Sequence, residues 1–328
     1  MRILSFVRSP YAGFLLFTAV LAVLPPLLTN DYYLNVLIFI GIHAIIAIGL
    51  DLLLGYTGQI SLGHAAFFGL GAYITGVLSA KASWPPIAGL VVALVGVGIL
   101  AYIIGIPTLK LHGHYLAMAT LGFGIIVQIF FKELGFLTGG PSGLVGIQDM
   151  TIFGYEFDSD LKYYYLVSVS LLLTLLLSIN VVQSRVGRAL KAIHGSEVAS
   201  SVLGINVSRY KVGIFVLSAL YAALAGWLYS HYMTFVSPSS FGFMFSIKLV
   251  TMVVIGSLGS IWGAIFGAAL LTSMPEFLHV FANYETTVFG FILVTVMVFM
   301  PRGLLRGLED IVLRVFKSLS DQEAAKGP

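Results

Sequence analysis

The residues most able to do chemistry lie in a glycine-rich polar stretch that interrupts a long apolar run. Residues 55–64 read GYTGQISLGH. Such a stretch cannot continue a lipid-facing helix, because its freed backbone groups need internal partners or water. It therefore predicts either a place where a solute path opens or a turn whose polar side chains satisfy two helix ends. The candidates for the path are Thr57, Gln59, Ser61 and His64.

A second glycine-rich break, GSLGS, follows a later apolar run at residues 256–260. It adds Gly256 and Gly259 to the candidates for the path. From there Gly259, Gly263 and Gly267 recur every four residues, which places small residues on one helix face and lets a neighbouring helix approach closely. We expect this glycine stripe to serve helix packing.

Few ionisable residues fall within the apolar runs. His43 lies near the middle of one run, where an ionisable residue is a functional candidate, but we favour a neutral histidine hydrogen-bonded to another helix. Asp51 lies near the end of that run, where water can reach it, and Lys248 can extend to the membrane interface. His112 and His114 lack both HExxH spacing and a third ligand, so a metal site is not favoured.

The sequence carries no motif for energy conversion or covalent catalysis. It contains no G-x-x-x-x-G-K-[ST] loop, no dinucleotide fingerprint after a strand, and no serine, histidine and aspartate set in a soluble domain. It has no cysteine, which excludes disulfides and thiolate metal sites. We predict no catalytic residue and no cofactor on this chain, so any ATP-driven work must come from a partner.

A basic polar segment, residues 183–211, lies between two long apolar runs. In its first half, apolar residues recur at helical spacing and Arg185, Arg188 and Lys191 take the other side, which predicts a basic amphipathic helix. The apolar positions are Val186, Ala189, Leu190 and Ile193.

The second half of the basic segment predicts another short helix at an angle to the first. Gly195 interrupts the first helix, Ser196 can cap the next one, and Glu197 suits its positive end. Gly204 lies where a left-handed residue would end it. Such a surface could dock a soluble partner, and a solvated connection that only sets membrane orientation is the alternative. The docking candidates are Arg188, Lys191, Ser196, Glu197 and Gly204.

Composition shows which elements must hold these residues. The chain is 59% hydrophobic and 9% charged with a mean hydropathy of +1.00, whereas a soluble domain carries about a quarter charged residues. We therefore predict an all-α polytopic membrane protein with about eight to ten transmembrane or re-entrant helices, several of them shorter than the ~20 residues a bilayer needs. The apolar runs are 11–29, 33–54, 65–80, 87–106, 115–131, 163–182, 212–231, 246–255, 261–274 and 286–300.

The distribution of lysine and arginine predicts the orientation. With the N-terminus inside, thirteen basic residues fall in cytoplasmic segments and three outside, so both termini are expected in the cytoplasm. Residues 132–162 then form an external loop whose turn-rich tract is either a flexible connector or a contact surface. We expect residues 1–328 to form one transmembrane domain that includes this loop and the cytoplasmic basic segment 183–211.

Four separated motifs resemble those of one transporter family. They are GYTGQISLGHAAFFGLGAY (55–73), LTGGPSGL (137–144), GINVSRYKVGIFVLSALYAALAG (204–226) and VVIGSLGSIWGAIFGA (253–268). Together they resemble the permeases of branched-chain amino acid ABC importers, and in particular the M-type subunit. The resemblance covers nearly the whole chain.

The resemblance implies a permease in the bacterial inner membrane that works by alternating access. Its implied partners are a second, H-type permease, a periplasmic or extracellular substrate-binding protein, and two cytoplasmic ATP-binding subunits that hold ATP and magnesium. Residues 197–204 fall on the family's loop for docking the ATPases. Substrate would pass between the two permeases, and its selection would rest mainly on the binding protein.

Some residues depart from the family pattern. His194 and Gly195 stand where an arginine and an acidic residue are common, Asp51 stands where asparagine is commoner, and His43 matches no family role. Urea, short amides or other amino acids are alternative substrates within the family. A secondary transporter is the alternative from another class, but it would need coupling carboxylates at mid-membrane, where this chain offers only His43.

Overall fold

The computed structural model describes residues 10–27, 30–111, 113–278, 290, 291 and 294. Twelve α-helices account for most of these residues. They are α1 (Pro10–Leu27), α2 (Asp31–Thr57), α3 (His64–Ala82), α4 (Pro86–Thr108), α5 (His114–Glu133), α6 (Gly135–Thr138), α7 (Asp160–Gln183), α8 (Arg185–Gly195), α9 (Glu197–Val202), α10 (Val207–Met233), α11 (Phe243–Gly256) and α12 (Ile261–Leu278).

The predicted polytopic helical fold is confirmed. Nine of the ten apolar runs coincide with helices, and the tenth, 286–300, lies outside the described residues except at 290, 291 and 294. Within the described part of the chain, six helices are long and apolar enough to cross a membrane: α2, α3, α4, α5, α7 and α10.

Two pairs of very short strands interrupt the helical pattern. β1 (Leu144–Val145) pairs antiparallel with β4 (Phe235–Val236), and β2 (Thr151–Ile152) pairs with β3 (Tyr155–Glu156). Apolar periodicity does not reveal strands of two residues, so these strands could not be predicted from the sequence.

The long loop 132–162 and the basic segment 183–211 lie at opposite ends of α7 and define two faces of the molecule. We name them the loop face and the basic face. α2 ends at the basic face, where α3 begins, and α3 returns to the loop face. Which face is cytoplasmic stays a prediction from the charge distribution.

α2 and α10, each 27 residues long, form the centre of the fold. Residues 41–54 of α2 are buried on every side, as expected for a helix that is apolar all round. α10 packs against α3 where glycines allow the two backbones to approach. A Cβ atom added to Gly71 would lie 2.6 Å from the Ala223 Cα atom, and one added to Gly226 would lie 2.6 Å from the Ala72 nitrogen. α4 and α5 are peripheral, because only 22% of the most apolar 18-residue stretch of each helix is buried.

α11 and α12 form an antiparallel hairpin of two short helices. The Cβ position of Gly263 lies 2.9 Å from the Gly256 oxygen, and Gly267 packs against the Met252 backbone. Side chains larger than hydrogen would separate the two helices. The turn between them is strained, because Ser257 has a φ of 135°, a region that residues other than glycine rarely adopt.

The glycine contact between α3 and α10 predicts a specific loss of stability. In Gly71→Ala the new methyl group would meet the α10 backbone, and overpacking of this kind costs about 1–3 kcal/mol. Gly122→Ala on α5 is the matched control, because nothing lies within 4 Å of its Cβ position. We expect Gly71→Ala to lower the unfolding temperature and the folded yield in detergent, and Gly122→Ala to leave both unchanged or slightly raised. Equal behaviour of the two variants would contradict the proposed contact.

Candidate functional site

The end of α2 at the basic face brings together both glycine-rich breaks and the basic segment. The Gly259 N–H donates a hydrogen bond of 2.8 Å to the Asp51 carboxylate, and Gly259 also packs against Gly55. On another side, the Cβ position of Gly58 lies 3.8 Å from His194 Nδ1 on α8. Two stretches about 200 positions apart in the chain thus meet within the last two turns of one helix.

The first break begins with a left-handed residue. Gly58 has a φ of 70° and its N–H bonds back to the Leu54 oxygen at 3.1 Å, which ends α2. The Thr57 hydroxyl, which is 4% exposed, donates to the Leu53 oxygen at 2.5 Å. Glycine is required here because the turn needs a positive φ. The Thr57 hydroxyl is therefore satisfied within the last turn of the helix, which ends at Gly58.

His64 fixes the other end of this break to α10. Its Nδ1 atom lies 3.1 Å from the Ser61 hydroxyl and its Nε2 atom lies 2.6 Å from the Ser218 hydroxyl on α10. His64, Ser61 and Ser218 are each at most 1% exposed, so a solute cannot reach them in the conformation described. The arrangement holds the start of α3 in place by hydrogen bonds, as buried polar groups require.

Gln59 differs from its neighbours in the break. It is 3% exposed, and neither atom of its side-chain amide has a hydrogen-bond partner among the described residues. Leaving such a group unsatisfied costs about 1–3 kcal/mol. Among the four candidates of the first break, it is the side chain with hydrogen-bonding capacity left for water, a solute or another chain.

A cleft of about 200 Å³ opens beside the second break, between α2, α7 and α12. Tyr56, Gly259 and Trp262 are among the residues that line it. Of the six candidates for the path, Gly259 reaches this cleft, whereas the other five are buried within the chain: Thr57, Gln59, Ser61, His64 and Gly256. Gly259 was predicted in the glycine stripe that packs α12, which is wrong, because it lies in the turn before α12 with a φ of 70°. The glycines that pack α12 on α11 are Gly256, Gly263 and Gly267.

Asp51 corrects one expectation and His43 confirms another. Asp51 was expected to be wetted, but it is fully buried, because the turn after α11 folds over the end of α2 and supplies the Gly259 N–H in place of water. His43 is 8% exposed, and its Nδ1 atom lies 2.8 Å from the Thr272 hydroxyl on α12. The predicted hydrogen bond from His43 to another helix is therefore present.

The basic segment folds as two short helices. Ala189, Leu190 and Ile193 of α8 are buried as the amphipathic pattern predicted. Val186 was predicted on the same apolar side but is 39% exposed, because it lies in the first turn, at the edge of the contact. The residues buried by α8 thus form a narrower stripe than the sequence indicated.

Capping interactions define α9 as the sequence predicted. The Ser196 hydroxyl accepts a hydrogen bond of 3.2 Å from the Ala199 N–H, which caps the helix. Gly204 has a φ of 83°, and the Ile205 N–H closes the turn on the Ser200 oxygen at 3.0 Å. These geometries agree with the predicted start and end of the helix. Docking by these residues stays a prediction.

The charged residues of the basic segment make contacts within the chain. Glu197 forms an ion pair of 2.5 Å with Lys211 on α10, whose side chain is only 4% exposed. The Lys191 ammonium lies 5.7 Å from the centre of the Tyr56 ring, a cation–π distance. An Arg188 guanidinium N–H donates to the backbone oxygen of Gln183 at 3.5 Å. The basic segment is therefore tied to both α2 and α10.

Sequence reasoning missed an exposed apolar cluster on α9 and the residue after it. Val198 is 75% exposed, Val202 81% and Leu203 79%. The signal was available, because three apolar residues lie among small and polar ones in a helix too short to bury them. Exposed apolar clusters outside membrane spans mark contact surfaces.

The long loop 132–162 is anchored to the helices. Gly139, Gly140 and Gly143 all have positive φ, and the Thr138 hydroxyl donates to the Phe131 oxygen at 2.7 Å. The backbone oxygen of Gln148 lies 2.9 Å from His231 Nδ1 on α10. Residues 138–148 of the loop are therefore held against α5 and α10, and a role of the loop as a contact surface stays a prediction.

The remaining ionisable candidates lie apart from the end of α2. The Lys162 ammonium, 2.5 Å away, lowers the pKa of Asp158 in the loop by hydrogen bonding to its carboxylate. Lys248 is partly buried within α11, and His114 begins α5, whereas His112 lies outside the described residues. In the part described, no three histidine or acidic side chains cluster as metal ligands would.

Comparison with known proteins places this geometry in a family. Residues 32–301 match the model of the family described as branched-chain amino acid transport system, permease component. The chain is 34% identical to the high-affinity branched-chain amino acid transport system permease protein LivM of Escherichia coli K12 and 33% identical to LivM of Salmonella typhimurium, each time over 89% of this chain and 74% of the relative.

A second group of relatives is more distant. The permease protein LivH of Escherichia coli K12 is 29% identical over 80% of this chain and 91% of LivH. No solved structure matches the chain. The family match covers well over half of the sequence and agrees with the helical, multi-pass architecture. The chain therefore belongs to the family of branched-chain amino acid transport system permease components, which are membrane transport proteins.

Proposed function

We propose that this chain is the M-type permease subunit of an ATP-driven importer for branched-chain amino acids in the bacterial inner membrane. The observation that carries the coupling part of this proposal is the exposed apolar cluster of Val198, Val202 and Leu203 on a firmly capped helix. The substrate class rests on the family and on the likeness to the two LivM proteins.

The apolar cluster on α9 is suited to a soluble protein partner. It lies in the polar segment between α7 and α10. A surface that contacts only lipid would not need charged residues around it, so these charges favour a protein partner. Arg185, Arg188 and Lys191 on α8 are exposed beside it, which favours a partner surface with an apolar groove and an acidic rim. We infer that one of two cytoplasmic ATP-binding subunits docks here and holds ATP and magnesium.

The contacts of α10 provide a mechanical route from this surface into the membrane. The Glu197–Lys211 ion pair joins α9 to the first turns of α10. Further along, Ser218 of α10 holds His64 at the start of α3, and His231 contacts Gln148 of the long loop. A displacement of α9 would therefore act on the first break and on the loop face through one rigid helix.

We place the solute path between this chain and a second, homologous permease, next to the two breaks. In this proposal Gly259 and the cleft beside it border the path. The hydrogen-bonded residues of the first break, Thr57, Ser61 and His64, hold the gate together, while Gln59 offers unsatisfied polar atoms when the gate opens. A periplasmic or extracellular binding protein would deliver the solute to the loop face at residues 132–162 and would supply most of the selectivity.

Uptake by cells tests the substrate of this permease. In cells that lack this chain but keep its partner subunits, a plasmid copy is expected to restore uptake of labelled leucine. Excess unlabelled valine should block that uptake, and excess urea should not. Restored uptake that urea blocks would move the assignment to a urea or amide permease. Uptake that persists after the partner ATPases are deleted would favour a secondary transporter.

Gly204 allows a test of docking in which backbone strain is matched. Asparagine and aspartate have nearly the same shape, and both tolerate the left-handed conformation that Gly204 adopts. Only aspartate adds a negative charge to the basic surface. We expect Gly204→Asp to abolish leucine uptake while Gly204→Asn keeps a large part of it, with equal amounts of both proteins in the membrane. Normal uptake by Gly204→Asp would contradict the docking assignment.

The Glu197–Lys211 pair predicts an unequal response to removal of either partner. Glu197→Ala leaves the buried Lys211 charge uncompensated, which costs about 3–5 kcal/mol in fully buried pairs. Lys211→Met leaves Glu197, which is 32% exposed and can be hydrated. We therefore expect Glu197→Ala to lower the unfolding temperature and leucine uptake more than Lys211→Met, and the double variant to recover part of the loss. If Lys211→Met instead lowered the unfolding temperature and uptake more than Glu197→Ala, the pair would not be what holds α9.

A further inference from the structure

An apolar cavity of about 510 Å³ lies between α3, α4, α5 and α6 at the loop face, and its lining includes no residue of either break. Tyr73, Val77, Leu100, Val127 and Phe131 are among its lining residues. The lining has two side-chain hydroxyls, those of Tyr73 and Thr138, and both already donate to backbone oxygens. Water or a zwitterionic amino acid would find almost no hydrogen-bond partner here, so the occupant must be apolar.

The cavity opens sideways toward the membrane. Its rim includes Val92 on α4 and Ile126 and Phe130 on α5, which are 40%, 54% and 56% exposed. α4 and α5 are also the two membrane-spanning helices that the rest of the fold covers least. A molecule in the bilayer can therefore enter between them without crossing polar surface.

The length of the cavity suits one acyl chain. Along α5 and the residue that follows it, the lining runs from Phe123 to Leu134, eleven steps or about 16 Å at helical rise. This is about half of the ~30 Å hydrocarbon core. The cavity is thus about one leaflet deep.

A cation marks the end of the cavity at the loop face. Lys81 lies in the last turn of α3, on the same helical face as the lining residues Ile74, Val77 and Leu78. Its ammonium donates to the Phe136 oxygen on α6, beside the lining residue Leu137, and an ammonium has two further donors. A phosphate at the membrane interface would complement this charge.

We propose that this cavity is a phospholipid site that holds one acyl chain of the leaflet at the loop face, with the headgroup phosphate beside Lys81. The lipid fills the space between α3 and α5 and braces α3, the helix whose other end is held by His64 at the first break. A lipid at this site requires only that the protein is embedded in a membrane, so the site does not depend on the substrate or on the docking of ATPases.

Photolabelling of the complete importer tests the site. The complex is reconstituted in vesicles of phosphatidylethanolamine and phosphatidylglycerol that contain phosphatidylglycerol with a diazirine near the end of one acyl chain. Peptide mapping is expected to find the strongest labelling on the lining residues of α3 and α5. Val77→Trp, which fills the cavity, should reduce this labelling several-fold. Val95→Trp is the control, because Val95 is 56% exposed on α4 outside the lining.

Two further variants separate the possible occupants. Lys81→Gln should weaken labelling of the lining by the phosphatidylglycerol probe, as expected if Lys81 binds the phosphate. Because the chain has no cysteine, Ile126→Cys also provides a clean cross-linking site. Efficient cross-linking of Ile126→Cys to the second permease would overturn the proposal, as would equal labelling of all exposed positions in every variant. If Val77→Trp does not fold, Leu100→Phe gives the same comparison with a smaller added volume.

Discussion

The structure depends on the need to satisfy polar backbone groups where helices end inside a membrane protein. α2 and α11 both end near the basic face, and water is excluded around the end of α2, where Asp51 is fully buried. The carboxylate of Asp51 and the left-handed turn at Gly58 supply hydrogen bonds that water would provide elsewhere. The close approach of Gly55 and Gly259 follows from this constraint, because an added side chain on Gly55 would separate the groups that need each other.

α10 extends this arrangement through the thickness of the protein. It is joined to α9 by the ion pair between Glu197 and the buried Lys211, to the first break by Ser218 and to the long loop by His231. Each contact is polar and each lies at a different depth along one helix. Since a well-packed helix moves largely as a unit, the exposed surface of α9 and the loop face are linked through α10 even though no residue touches both.

The periphery follows a different rule. α4 and α5 expose many large apolar side chains, as expected where lipid rather than protein is the neighbour. Close packing between these helices and α3 is therefore incomplete, and the cavity near Tyr73 remains. In a soluble protein such a void would be costly, whereas a bilayer offers acyl chains that can fill it.

The sequence by itself determined the helical class, nine of the ten helices drawn from it, the caps at Ser196 and Gly204, and the family through four motifs in order. These features depend on local preferences and on apolar periodicity, which neighbouring residues express without the rest of the chain. Only the tertiary structure decided that the two breaks meet, that Asp51 is buried, and that Lys211 is the partner of Glu197. Contacts between residues far apart in sequence depend on how the helices pack, and a local pattern does not encode that packing.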